Sequence, residues 1–175
     1  MTWQPALARV RAIPDASTMT TWSDFAAAAP EIAVAGYRLI YRTEIGEALL
    51  ATVRGDEPPR VHPIYVAVLD GRLLAFLGRS TKCADLEADG RYALHAHQDP
   101  AAPSEFLVRG RARVVTDPVV RAAAAARWSF EPDETYTLFE FAVEHAVLGE
   151  RPDAETWPPR YSSWRAEAAT AQTTA

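Results

Sequence analysis

The spacing of apolar residues along the chain changes character twice. In "TWSDFAAAAPEIAVAGYRLIYRT" (residues 21–43) they recur at helical intervals, with Ser23 as the expected cap and Pro30 as a break. Beyond that break a second, short helical turn is expected before Gly36. From Glu47 onward the period becomes two. "EALLATVRG" and "RVHPIYVAVLD" predict strands separated by the turn residues "DEPP", and Asp70-Gly71 predicts a tight type I′ hairpin into "RLLAFLG". Pro63, which has no amide donor, places its strand at an edge or a bulge. "STKCADLEAD" predicts a short helix capped by Ser80 and closed by Gly90; "RYALHAH" is a further strand. "FLVRGRARVV" alternates cleanly, with Phe106, Val108, Gly110, Ala112 and Val114 on one side and Arg109, Arg111 and Arg113 on the other. Asp117-Pro118 opens another helix. "TYTLFEFAVEHAVLG" predicts one last strand, with Phe139, Phe141 and Val143 buried.

These elements add up to a mainly β (β+α) chain of six antiparallel strands with short flanking helices. A sheet of that size removes its exposed edges by closing into a small barrel. The expected organisation is a loose arm over residues 1–20, one folded domain over 21–166 and a disordered tail over 167–175. At 175 residues the chain is long enough to bury a core without staples.

Charge and cysteine usage narrow the class. A net charge of −5 gives no basic face for nucleic acid. The single cysteine, Cys83, excludes an intramolecular disulfide and a Cys-based zinc site. No apolar run is long enough for a signal peptide or a membrane helix, and a cytoplasmic location is expected.

The most pointed chemical signal is Lys82, the only lysine among 18 basic residues. It follows Ser80 and Thr81 at a helix start, where unpaired amides, two hydroxyls and an ammonium make a site for an anion, phosphate above all. The same spacing also describes a capped surface helix with a solvated charge. "GRSTK" lacks the glycine-rich cradle of a Walker loop. His95 and His97 share one strand face without a third ligand, so no metal site is expected. His145 is read as a core or interface histidine, with axial haem ligation as the minor alternative. Arg109, Arg111 and Arg113 form either a solvated or interface face or the mouth of an anionic ligand site. No nucleophile elbow is present, and Cys83 has no evident histidine partner.

In their order and spacing, "PPRVHPIYVAVLDGRLLAFLGRSTKCADLEADGRYALHAH" and "EFLVRGRARVV" resemble the pyridoxamine 5′-phosphate oxidase-like flavoproteins, which have an FMN-binding split barrel. The resemblance covers residues 45–116 and extends more weakly to about 165. It implies a split-barrel homodimer with FMN in clefts between the subunits, acting as an oxidoreductase on a small molecule. Arg60, Ser80, Thr81 and Lys82 match the phosphate grip, with Thr81 in place of a basic residue. Val61, His62, Pro63, Phe76 and Leu77 match the lining of the ring. Glu105 stands where the oxidases carry a glutamine that contacts the flavin, and a carboxylate there would repel an anionic reduced ring. Trp157 and Trp164 are late aromatics of the kind that reach a partner's flavin. The Arg-x-His segment that holds the oxidases' substrate is missing around Arg160 and Arg165, so vitamin B6 oxidation is not expected. Other proteins of this superfamily use the deazaflavin F420 or bind haem, which leaves an F420-dependent reductase and a non-catalytic flavin or haem binder as alternatives.

Overall fold

The computed structural model describes residues 19–101 and 103–167, so nearly all of the expected arm and tail lies outside the described residues. Two helices come first, α1 (Trp22–Ala28) and α2 (Pro30–Ile40). The cap of α1 is Thr21 rather than Ser23. Its hydroxyl accepts from the Asp24 amide at 3.2 Å while the Asp24 carboxylate accepts from the Thr21 amide at 2.8 Å, a reciprocal capping box. Burial of Trp22 and Phe25 three residues apart sets this phase, because both must face the core. The chain does break at Pro30, but α2 then continues through Gly36 to Ile40 instead of ending as a short turn.

The strands are β1 (Glu47–Thr52), β2 (Arg60–Tyr65), β3 (Ala67–Leu69) and β4 (Arg72–Leu77). After α3 (Thr81–Ala88) come β5 (Arg91–Ala96) and the long β6 (Glu105–Val114). After α4 (Pro118–Ala125) come β7 (Thr137–Phe141), β8 (His145–Glu150) and β9 (Arg160–Arg165). Strand order is β2-β1-β5-β6-β7-β4-β3, all antiparallel. Since β2 and β3 are joined through the single residue Val66, that path curls back on itself. The six-stranded antiparallel barrel expected from the sequence is therefore present, with β2 and β3 as two halves of one bent strand. Asp70 and Gly71 both have positive φ (49° and 74°), the signature of the expected type I′ turn between β3 and β4.

Two features go beyond the sequence reading. The strand expected over 135–149 is two strands, β7 and β8, interrupted at Ala142–Glu144. There the chain crosses β6: Ala142 N–H donates to Arg111 O (2.9 Å) and Glu144 N–H to Arg109 O (3.0 Å). Between those two bonds lies Gly110, where a Cβ would come within 2.2 Å of the Ala142 carbonyl oxygen. The free side of β6 is consequently shared, Ala112–Val114 with β7 and Glu105–Arg109 with β8. This is the split in the barrel. The second feature is β9, which pairs with β8 and extends the sheet outward as a ribbon that short polar residues did not announce.

Phe25, Leu50, Leu94, Phe106, Val108, Phe139, Phe141 and Val143 are fully buried and form the main core. A smaller cluster of Leu74, Phe76, Ala124 and Leu138 sits beneath α4. No helix among the described residues is long and apolar enough to cross a membrane.

Candidate functional site

The sequence-predicted residues gather mainly at one end of the barrel, where β2 and β4 part. β3 accompanies β4 only as far as Leu74. Beyond it, β4 has a ladder partner on the β7 side alone, while β2 turns away to pair with β1. Arg60, Val61, His62 and Pro63 thus stand on one side of an opening and Phe76 and Leu77 on the other. The chain leaves β4 directly into α3, which brings Ser80, Thr81 and Lys82 to the same end.

Ser80 caps α3 as expected. Its hydroxyl accepts from the Cys83 amide at 3.4 Å and donates to the Gly78 carbonyl at 3.0 Å. The Thr81 and Lys82 amides, at the first two positions of the helix, have no intrahelical acceptor. Thr81 is exposed and Lys82 half-buried, and no ion pair engages the Lys82 ammonium among the described residues.

Arg60 is placed differently from Lys82. Its Nη1 donates to Asp85 Oδ2 at 2.9 Å and its Nη2 to Glu57. These hydrogen bonds, to Asp85 first and Glu57 second, raise the guanidinium's pKa further. Asp85 is 1% exposed; Thr52 Oγ1 also donates to its Oδ2 (3.0 Å), and Arg54 Nε lies 3.0 Å from its Oδ1. Burial pushes the Asp85 carboxyl up, but the Thr52 hydroxyl and the Arg60 and Arg54 guanidiniums outweigh it and hold it below the usual carboxylate range. This Thr52–Arg54–Arg60–Asp85 cluster was not foreseen. Helical phase gave no signal for it: Asp85 is two residues from Cys83, which a helix puts on nearly opposite sides, yet both are buried.

The ring-lining candidates divide. Val61 and Pro63 point outward, and Val61 is 61% exposed. Phe76 and Leu77 have buried side chains, Phe76 lying edge-on to Trp128 with its ring centroid 5.1 Å away, so only their backbone edges are open toward β2. His62 faces the barrel side, with its Nε2 buried and without a hydrogen-bond partner among the described residues. An orphaned buried nitrogen next to unladdered backbone is the sort of feature a ring with polar edges satisfies. The donors at the start of α3 suit a phosphate. The residues present therefore fit a flavin phosphate and ring, with Arg60 in position but already matched by internal carboxylates.

Two expected contributors lie elsewhere in the chain. Glu105 begins β6, separated from β2 by β5 and β1; its Oε1 accepts from the Tyr161 hydroxyl at 2.6 Å and its Oε2 is 3.4 Å from His95 Nε2. That bond to Glu105 raises the Tyr161 pKa. Trp164, on β9, packs against Phe25 of its own core (5.1 Å between ring centroids), while Trp157 is exposed.

The remaining candidates have local explanations. Arg113 forms an ion pair with buried Glu140 (2.6 Å). Burial raises the Cys83 thiol's pKa, which makes it a poor nucleophile. Among the described residues no group of three His, Cys, Asp or Glu side chains is arranged to hold a metal. His145 Nδ1 accepts a hydrogen bond from Arg109 Nε at 2.9 Å. Because a guanidinium is always protonated, the neutral ring must carry its proton on Nε2, the atom that would have to bind haem iron. His145 is thus a poor axial ligand in this arrangement.

No family model and no curated protein matches the chain. Solved structures do match its fold. A Clostridium acetobutylicum protein related to general stress protein 26, of the pyridoxinephosphate oxidase family, superposes with a TM-score of 0.57 at 14% identity, covering 75% of this chain and 92% of its own. A FAD-binding protein from Mesorhizobium loti gives 0.53 at 21% identity, covering 65% and 90%. A haem binding protein from Mycobacterium smegmatis gives 0.54 at 16% identity; 75% of this chain is matched, spanning only 57% of that protein. At such identities the shared property is architecture: the chain has the split-barrel fold of the pyridoxamine 5′-phosphate oxidase-like proteins.

Proposed function

We propose that this protein binds FMN at the open end of its barrel, through the start of α3, and works as a homodimeric oxidoreductase on a small molecule. The observation that carries this reading is the convergence of Arg60–Pro63, the free backbone edge at Phe76–Leu77 and the Ser80–Thr81–Lys82 helix start at one opening. Lys82 and Thr81 would hold the phosphate, with the helix amides adding ~0.3–1 kcal/mol through the dipole. The ring would supply hydride chemistry, and the chain would supply orientation. His62 Nε2 and the β4 backbone are the polar groups available to orient the ring's edge. The FAD-binding neighbour from Mesorhizobium loti supports a flavin on this fold.

A second copy would cover the outward side of β1 and β2, where Leu49, Val61 and Tyr65 are exposed beside the same opening. Apolar side chains grouped on one sheet face are a normal mark of an interface. The haem reading has a neighbour in its favour, the Mycobacterium smegmatis protein, but His145 is not set up as its ligand.

The test is to titrate the purified protein with FMN, F420 and haem separately, following absorption, and to sediment it with and without the ligand bound. Saturable FMN binding that falls at least about tenfold in Lys82→Ala, on a particle twice the 19.2 kDa chain mass, is the expected result. FMN affinity unchanged in Lys82→Ala would overturn the phosphate assignment. Tight binding of F420 alone would replace FMN by the deazaflavin.

A further inference from the structure

A second site is visible on the outer face of the sheet, away from the opening just described. β6, β8 and β9 place Arg109, His145 and Arg165 directly opposite one another in one cross-strand row. Adjacent strands are ~4.8 Å apart, so the two arginines flank the histidine at roughly 10 Å from each other. A cavity of about 570 Å³ opens over this row, with Arg91 and Arg111 also on its wall. That volume lies within the range of small-molecule sites, ~300–1,000 Å³.

The chemistry of the row is one-sided. Arg109 spends only its Nε on His145, leaving both Nη groups as donors. The same bond fixes the ring proton on Nε2, so His145 also presents a donor. Burial, Arg109 and Arg165 together lower the His145 pKa, which keeps the ring neutral between two cations. Arg165 has no ion pair among the described residues, and neither has Arg109. Arg91 and Arg111 stand opposite each other across β5 and β6, a like-charge pair that would be unfavourable alone. Asp89 compensates it: its carboxylate binds Arg91, with 2.5 Å to Nε, and its carbonyl accepts from Arg111 Nη1 at 3.1 Å. Among the described residues no such compensation reaches Arg109 and Arg165. Glu144 and Glu167 also line the cavity, so with Asp89 behind Arg91 four guanidiniums stand against three carboxylates, an excess of one positive charge in a chain of net −5.

A row whose remaining donors have no acceptor among the described residues, under a cavity with surplus positive charge, fits a ligand that brings several acceptor oxygens and negative charge. We infer that Arg109, His145 and Arg165 form a binding site for a small phosphate- or carboxylate-bearing molecule. The oxyanion would bridge the two guanidiniums and accept from His145 Nε2–H. The site shares no residue with the candidate flavin opening and stands whether or not a flavin binds there.

The test is an NMR titration of the full-length protein with inorganic pyrophosphate and with citrate, following the His145 ring signals, assigned through His145→Gln. The expected result is a saturable shift of the His145 resonances with one or both probes, weakened at least about tenfold in Arg165→Gln, an exposed substitution whose folding is checked by circular dichroism. Lys82→Ala should leave the titration unchanged. Pyrophosphate acting alone would identify phosphate as the recognised group, and citrate acting alone would identify carboxylate. A response of equal strength in Arg165→Gln, one lost in Lys82→Ala instead, or none with either probe would overturn the assignment.

Discussion

Asp85→Asn separates two roles that the structure couples. Asp85 is 1% exposed and holds three partners: buried Thr52 through its hydroxyl, Arg60 through Nη1 and Arg54 through Nε. Asparagine has the same shape and keeps one acceptor oxygen, which can serve Thr52 and Arg60. Its amide must then face Arg54, whose 45% exposed side chain can swing into water. The loss is therefore the charge-assisted part of the remaining hydrogen bonds. A bond to a charged group contributes ~1.5–3 kcal/mol against ~0.5–1.5 for a neutral one, and screening of the half-exposed arginines reduces the difference. The net expectation is a loss of about 1–2 kcal/mol, read as a fall of roughly 2–8 °C in Tm. The depressed Asp85 pKa fixes the sign of its pH dependence. Its contribution is present above the unfolded carboxylate value of ~3.9 and is lost as pH falls through the lower folded value, so the gap between variant and wild type should close at the acid end. The second readout is ligand affinity. Neutralising Asp85 frees Arg60 from a competing anion, and FMN should bind roughly threefold to tenfold more tightly, about 0.7–1.4 kcal/mol, the part of a charge-assisted hydrogen bond that remains after solvent screening of a partly exposed arginine. A well-folded Asp85→Asn protein that binds FMN more weakly would refute this reasoning and make Asp85 the residue that positions Arg60 for the phosphate. An unchanged Tm would refute the buried network itself.

Two further substitutions test the crossing at Ala142 that splits the barrel. Gly110→Ala forces a Cβ to within 2.2 Å of the Ala142 carbonyl oxygen, which only a backbone shift can relieve; a loss of ~1–3 kcal/mol is expected in urea unfolding, and an unchanged midpoint would mean the crossing is looser than described. Tyr92→Phe removes a buried hydroxyl that donates to the same carbonyl at 2.9 Å, for a loss of ~1–1.5 kcal/mol by thermal melt; because both changes act on Ala142, the double variant should depart from additivity, and strict additivity would show the two contacts to be independent.

What the sequence made legible was whatever a few neighbouring residues decide. The Asp70-Gly71 turn, the Ser80 cap, the Asp117-Pro118 helix start and the alternation of β6 are local choices, and each appears where it was expected. The break between β7 and β8 was hidden because "FAVEHAV" keeps an apolar period through the crossing. What interrupts it is a glycine on another strand, Gly110, more than thirty residues away. β9 was missed for the opposite reason: its inward residues are only Ser162 and Trp164, too few to show a period beside the polar ones.

The same division holds at the candidate site. Sequence order makes Arg60 and Lys82 look like equal halves of one anion grip. Tertiary contacts make them unequal, because the helix that presents Lys82 also carries Asp85, one turn further along, into the reach of Arg60. Arg60 therefore enters any encounter with a phosphate already neutralised, and moving it would uncover a buried carboxylate. Lys82 enters without an ion pair among the described residues. If this opening binds an anion, the affinity of the wild-type protein must depend more on the single lysine than on the arginine that the family pattern puts first. Lys82→Ala should then cost more affinity than Arg60→Gln, and the reverse order would return Arg60 to the leading role.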